Sequence, residues 1–433
     1  MPSLSPAVPL IPFGASASAA PAPRRAKRPG NRTLRVGLVG YGAFARFAAA
    51  EYRRLPDVTI TAVADLDPAA ARRAAADLGT ECLSPDEVLG SPEVDLVYIA
   101  TPPAVHHRQA SLALLAGKHV LVEKPLATTL ADAEELESLA ARQGLVCVAN
   151  LVERYNPLAE VVRRVIGSRL LGGLVHGLFI NEAADEGLSP RHWFWNRDVS
   201  GGIFVEHGVH FFDLVAFWLG EGQVISAARS VRPAFEGEPA ASSGDTGREP
   251  VEEQVFCTCR YATPCDMSAL GGGSSPPACR RHGGVLFHFE HGFHQPSRMD
   301  RQEMRLVFER GELRLFDWVP THGEVHGLLD DDTVGVLAGM LPGSELRTVQ
   351  RYQGDERRMR GRFQSFEATS LVDIAFTLGM DKLEVYGHVV RELAADQIAW
   401  IRDPGHVRRL TEVDSVASVA LACEADRLAL ATP

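Results

Sequence analysis

RVGLVGYGAFARFAAA, Arg35 to Ala50, read together with Asp65, decides the architecture of this chain. A short apolar run, Val36 to Val39, leads into Gly40, Gly42 and Ala45, which fit G-x-G-x-x-A. An Ala-rich segment follows, and a second apolar run, Val58 to Ala64, ends at the carboxylate of Asp65. Strand, glycine turn, helix, strand and acid is the order that a dinucleotide needs. Gly40 lets the chain turn tightly, Gly42 lets the backbone approach a pyrophosphate, and Ala45 is small enough for close helix–strand packing. The helix N-terminus offers free N–H groups and a positive dipole to the phosphates. Asp65 stands 25 residues after Gly40, near the usual spacing of about 20, where it can accept hydrogen bonds from both ribose hydroxyls. Leu66 follows where an arginine could have met a 2′-phosphate, so NAD is expected, with NADP as the alternative.

The rest of the composition bounds the class. The chain has 433 residues, 45% hydrophobic and 23% charged, enough for two or three domains with large cores. Its net charge of −11 argues against a general binder of nucleic acid or anionic membrane. No run of about 18 apolar residues marks a spanning helix. The seven cysteines, an odd number partly in apolar contexts, suit a reduced cytoplasmic protein rather than a disulfide framework. Residues 1–33 are rich in Ala, Pro and Ser and carry Arg24, Arg25, Lys27, Arg28 and Arg32. No apolar segment follows the twin arginine, which argues against an export signal. A disordered tail, or an arm on a neighbouring subunit, is expected there.

Residues 34–150 alternate strands and helices, the pattern of a doubly wound parallel sheet. After 150 the pattern changes to helix 157–166 and then strand-like runs at 175–180, 224–231, 254–261, 285–291, 303–309 and 312–316. That order predicts a second, α+β domain over 151–433, built on a large antiparallel or mixed sheet. Segments 233–250 and 262–284 read as inserted loops, 363–379 as sheet or sheet-packing helix, and 381–401 and 414–431 as closing helices.

Two segments carry chemistry. Glu123-Lys124-Pro125 closes the apolar run HVLV, and ligands sit at the carboxyl ends of parallel strands. A lysine there can donate to a substrate oxygen and stabilise alkoxide character. The second is SGGIFVEHGVHFFDLVAFWLG, Ser200 to Gly220, where Glu206, His210 and Asp213 fall at i, i+4 and i+7 on one helix face. A histidine with a carboxylate one turn away is a ready general base. Alone, the first is as consistent with a solvent-facing lysine and the second reads better as a satisfied core histidine; their joint presence with a dinucleotide fold turns both toward function.

Together with AVADLDP, VYIATPPAVHH and GKHVLVEKPLATTLADAEEL, these segments resemble the Gfo/Idh/MocA family, glucose–fructose oxidoreductase, inositol dehydrogenase and relatives, over residues 34–430. The resemblance implies an NAD(P)-dependent oxidoreductase acting on CH–OH groups of a sugar, polyol or sugar derivative. It implies Lys124 as substrate and nicotinamide contact, His210 as acid/base, and Glu206 as the residue that orients it. The family more often has aspartate at that position, and the longer side chain moves the carboxylate by about 1.5 Å. Cofactor contacts are expected at Gly40, Gly42, Ala43, Phe44, Asp65, Ala100, Thr101, Pro102, His106, Glu123 and Lys124. Substrate contacts are expected at Arg154, Trp195, Arg197, Glu206, His207, His210 and Asp213. A homodimer or homotetramer through the C-terminal sheet is expected. Other readings keep the fold: transient oxidation during glycosidic bond cleavage, a non-catalytic ligand-binding relative, or reduction of an imine or bilin. No metal is expected, since Cys257, Cys259, Cys265, Cys279 and His282 match no familiar zinc spacing, and His288, His291 and His294 fall near a strand end.

Overall fold

The computed structural model describes residues 32–184, 187–188, 192–232, 251–262, 284–361 and 364–431. The N-terminal extension, most of both inserted loops, and with them Cys265, Cys279 and His282, lie outside the described residues.

The first unit comprises β1 (Leu34–Val39), α1 (Ala43–Tyr52), β2 (Val58–Ala64), α2 (Pro68–Leu78), β3 (Glu81–Cys82), α3 (Pro85–Gly90), β4 (Leu96–Ile99), α4 (His106–Leu115), β5 (His119–Val122), α5 (Leu130–Gln143) and β6 (Cys147–Ala149). The six strands are parallel in the order β3-β2-β1-β4-β5-β6. β4 and β5 are buried at every residue, as strands covered on both faces must be. Local chemistry sets the helix ends. Asp67 accepts from Ala69 N ahead of Pro68 at the start of α2, and Gly79 ends it in the left-handed region. Gly40, at φ 89°, makes the turn after β1, and a Cβ there would lie 2.6 Å from the Ala100 carbonyl oxygen, so only glycine fits.

The second unit begins with α6 (Pro157–Ser168) and β7 (Leu174–Glu182), then the short α7 (Arg197–Ser200), a π turn at Phe204–Gly208, and α8 (Val209–Leu219). There follow β8 (Gly222–Arg232), β9 (Val251–Tyr261), β10 (Val285–Gly292), β11 (Arg301–Phe308), β12 (Gly311–Phe316), β13 (His322–Leu329), α9 (Asp331–Met340), β14 (Glu345–Arg351), β15 (Arg358–Arg360), β16 (Ser365–Glu367) and β17 (Ser370–Thr377). Nine of these strands form a mixed sheet in the order β14-β17-β13-β12-β11-β7-β10-β9-β8, in which only β7 and β10 pair in parallel. Burial alternates along β9, with Val255, Cys257 and Cys259 inward and Phe256 40% exposed, so one face packs and the other is open. Cys257 and Cys259 are therefore core residues, each a free thiol. The stretch Arg197–Leu219 is long and apolar enough to cross a membrane by composition, yet 83% of its most apolar window is buried inside the fold.

Two features depart from the sequence-based expectation. Residues 317–362 carry no assigned element there, yet they hold β13, α9, β14 and β15. β14 is exposed at all seven positions, so it has no apolar alternation to read. The closing helices α10 (Lys382–Arg402) and α11 (Glu412–Ala431) also return to the first unit. Tyr386 packs on Phe44 and Phe47 at 5.5 and 5.2 Å between ring centroids, and Arg391 pairs with Glu51 of α1. Glu412 accepts from Cys147 N at 3.1 Å and Ser415 from Ala149 N at 3.2 Å. An apolar stripe shows that a helix packs but not against which partner.

Candidate active site

A cavity of about 530 Å³ opens at the carboxyl ends of β1, β2, β4 and β5. Gly40, Tyr41, Gly42, Ala43, Phe44, Asp65, Ala100, Thr101 and Pro102 line one end. Lys124, Glu206, His207 and His210 line the other, with Phe293, and Trp318 and Tyr386 bridge the two, Tyr386 on Phe44 and Trp318 on His210. The first end fits a dinucleotide. A Cβ on Gly42 would meet no protein atom within 4 Å, so backbone there is open to a close-approaching group. No side chain caps α1, which leaves its first N–H groups for an anion. Asp65 Oδ2 accepts from Tyr41 N at 2.8 Å and Oδ1 from Asp67 N at 2.9 Å, which holds the carboxylate at the strand end. Leu66 beside it is 86% exposed.

Glu123, partly buried, lines the cavity beside Lys124. It accepts from Tyr98 Oη and from Asn150 Nδ2, the latter at 2.8 Å, and burial pushes its carboxyl up to about 7. The Lys124–Pro125 peptide is cis. Lys124 Nζ donates to the Glu206 backbone oxygen at 3.0 Å and pairs with Glu206 Oε1. Glu206 Oε2 is buried with no partner among the described residues. His210 lines the same space, its Nδ1 buried and unpartnered among the described residues. Burial, then the Lys124 charge, hold its imidazole well below the ordinary histidine range. It is therefore neutral at physiological pH and ready to accept a proton.

Gly201 and Gly202 precede this segment at φ 86° and 91°. A Cβ on Gly202 would lie 2.6 Å from Arg197 Nη1, which explains the glycine pair. The π turn closes with i→i+5 geometry, a form enriched at functional sites. Glu206, His207 and His210 reach the cavity and Asp213, one turn further along α8, does not.

That corrects the one-face expectation. Asp213, on α8, is buried against Arg154, Nε to Oδ2 2.6 Å, and Arg154 also pairs with Asp414 at 3.0 Å. Burial raises Asp213 to about 6 even beside that guanidinium. Arg154 and Asp213 therefore anchor α8 rather than line the cavity. Glu206 is engaged with Lys124, and no hydrogen bond joins it to His210, so it holds the ammonium rather than the imidazole. Arg197 is tied to Glu252 at 2.7 Å and to Asp426. Trp195 packs edge-on to Phe194 at 4.7 Å and stands behind the lining. His192, Trp193 and Phe194, just before it in the chain, reach the cavity instead. His106 is fully buried, with Nε2 2.7 Å from the Thr101 oxygen and Nδ1 2.8 Å from the Pro125 oxygen. The neutral ring donates to one of these carbonyls and pins the turn from behind. Phe293, Trp318 and Tyr386 were not legible, because an isolated aromatic carries no local signal of the wall it joins.

A parallel doubly wound sheet with this glycine turn and strand-end acid, joined to a mixed-sheet domain that closes the cavity, defines a two-domain oxidoreductase architecture with an NAD-binding Rossmann fold. Residues 34–151 match the family model described as the oxidoreductase family, NAD-binding Rossmann fold, and residues 160–314 match the GFO/IDH/MocA C-terminal domain. The chain belongs to the Gfo/Idh/MocA family. It is 29% identical over 212 residues to an uncharacterized oxidoreductase of Synechocystis, covering 48% of this chain and 57% of that protein. It is 36% identical over 181 residues to a dTDP-3,4-didehydro-2,6-dideoxy-alpha-D-glucose 3-reductase of Saccharopolyspora spinosa, covering 41% and 54%. The chain thus spans a little over half the length of these curated relatives. Among solved structures, a levoglucosan dehydrogenase in complex with NADH and L-sorbose superposes with a TM-score of 0.67 at 17% identity, covering 92% of this chain and 97% of that one. The biliverdin reductase of Synechocystis does so at 0.62 and 17%, covering 92% and 99%. At such identity the likeness is one of fold.

Proposed function

We propose that this protein is a nicotinamide-dependent dehydrogenase or reductase of a hydroxyl-bearing carbon in a sugar, polyol or sugar derivative. One observation carries the reading: Lys124 from the Rossmann unit and His210 from the second unit line one cavity whose other end holds the glycine turn and Asp65. A bound nicotinamide supplies hydride exchange. The glycine turn, the uncapped start of α1 and Asp65 would hold the dinucleotide. Lys124 donates to the substrate oxygen and stabilises its developing negative charge. His210, kept neutral, takes the hydroxyl proton. Glu206 sets the Lys124 ammonium through Oε1, and its free Oε2 can accept from a substrate hydroxyl. The aromatic wall suits the apolar face of a sugar ring. Dinucleotides reported with family neighbours include NADH and NADP+, and the Asp65-Leu66 pair favours NAD.

The test is a panel of polyols, sugars, sugar acids and nucleotide sugars, followed by NADH absorbance with NADP in parallel. Turnover on at least one supports the reading, and the absence of turnover on all of them, with cofactor shown to bind, overturns it. We further infer a homo-oligomer through the open face of the nine-stranded sheet, where Ile225 and Phe256 are each 40% exposed. Light scattering that returns a monomer at all concentrations would remove that inference. The five described cysteines are free thiols, which supports a reducing compartment such as the cytoplasm.

A further inference from the structure

A histidine pair, His207 in the cavity lining and His291 behind it, is not used by the chemistry above. His207, on the π turn, is partly exposed and lines the cavity. Its Nδ1 lies 3.0 Å from Nδ1 of His291 on β10. His291 is 0% exposed and ringed by Phe179, Phe204, Phe211 and Phe212, with centroids 5.4, 6.2, 5.9 and 6.4 Å away. Its Nε2 is buried with no partner among the described residues. Burial lowers both imidazoles, that of His291 to about 3 and that of His207 well below the ordinary value. Two neutral rings that meet through Nδ1 share one proton, so one donates and the other accepts.

Cost decides the direction. If His207 were the donor, His291 would carry its proton on Nε2, an N–H in an apolar shell with no acceptor. If His291 donates, only a lone pair is left unmet. An orphaned buried N–H is the rarer and dearer state. The bond therefore runs from His291 Nδ1–H to His207 Nδ1, and His207, itself a lining residue, carries its own proton on Nε2, the ring nitrogen not engaged by His291. The His207 and His210 rings are 6.4 Å apart, so they can address different oxygens of one molecule.

We propose that His291 is a positioning residue that fixes His207 as an Nε2–H donor, and that this donor binds a second oxygen of a polyhydroxylated substrate, next to the one held by Lys124. The choice of substrate rests on the function proposed above, whereas the tautomer does not.

The test begins on the full chain without substrate, labelled with 15N-histidine and read by two-bond 1H–15N correlation, with His207→Gln and His291→Phe used for assignment. The expected spectrum has His207 protonated at Nε2 and bare at Nδ1, and His291 protonated at Nδ1. In His291→Phe the His207 signals should shift toward a mixture of tautomers. His291→Asn, whose amide N–H can stand in for Nδ1–H, should restore them. His207 protonated at Nδ1 in the unaltered protein, a result that needs no variant to fold, overturns the proposal, as do unchanged His207 signals in a folded His291→Phe. On a substrate found by the panel, His291→Phe should raise KM about tenfold, the worth of roughly one hydrogen bond, with kcat within about twofold and recovery in His291→Asn. An unmoved KM overturns the substrate half. The expected tautomers with no turnover on any polyol support the positioning role and refute the polyol assignment instead.

Discussion

Replacing Lys124 with methionine keeps the length of the side chain and removes its charge, and the structure states two separate consequences. The first is rate. Nζ is the ammonium of the site, held by the Glu206 backbone oxygen at 3.0 Å and by its carboxylate. Loss of one preorganised donor to a developing oxyanion costs about 3–4 kcal/mol, or about 10²–10³ in kcat. The second is pH. Burial first, and the Lys124 charge second, hold the His210 pKa down. Removing the cation removes the second cause, so the imidazole pKa rises while burial keeps it below its ordinary 6.5. The base must be neutral to accept a proton, so the acid limb of the kcat/KM profile for alcohol oxidation should move to higher pH in Lys124→Met. The assay is steady-state NADH formation across about pH 5–9, with NAD binding checked by fluorescence and folding by circular dichroism. A folded, NAD-binding variant with a near-normal rate and an unmoved acid limb would refute both the role of Lys124 and its coupling to His210.

Other outcomes follow from the same geometry. Asp65→Ala should weaken NAD by about 1.5–3 kcal/mol, as expected for hydrogen bonds to a charged group, and narrow the preference over NADP; calorimetric titration of both cofactors that returns an unchanged ratio would reject the ribose assignment. Gly40→Ala puts a Cβ 2.6 Å from the Ala100 oxygen at φ 89°, so both melting temperature and NAD affinity should fall, whereas a variant that melts and binds like the parent would contradict the turn geometry. Arg154→Met leaves Asp213 buried without its cation, which costs about 3–5 kcal/mol near neutral pH. Asp213 has its folded pKa raised from 3.8 to about 6, so its protonated form is favoured in the fold, and its contribution to stability is greatest in acid and is lost as pH rises through that window. The Arg154→Met defect should therefore be larger at pH 8 than at pH 5 in thermal melts, and an equal loss at both would show that Asp213 does not carry it.

Much of the first unit could be read from the residues, because each local signal agrees with the whole: continuous apolar runs for covered strands, glycine where φ is positive, and Asp and Pro where helices start. The Lys124 and His210 motifs were equally local. The place of Asp213 was not, since helical periodicity puts it on the face of His210 but does not say that, one turn further along α8, Arg154 engages it instead of the cavity. Arg154 and Arg197, both cationic, could not be told from cavity residues until Asp213, Asp414, Glu252 and Asp426 came within reach from distant parts of the chain. His291 showed only as one histidine in a strand, because its partner lies 84 positions away.

The return of α11 to the first sheet sets a timetable for biosynthesis. The amides of Cys147 and Ala149 wait for acceptors 265 and 266 residues downstream. At roughly 5–20 residues per second on the ribosome, β6 stands as an unsealed border for about 13–50 s after it emerges. During that interval the nascent unit offers an uncovered strand, so the ribosome-bound chain is the form most in need of a chaperone.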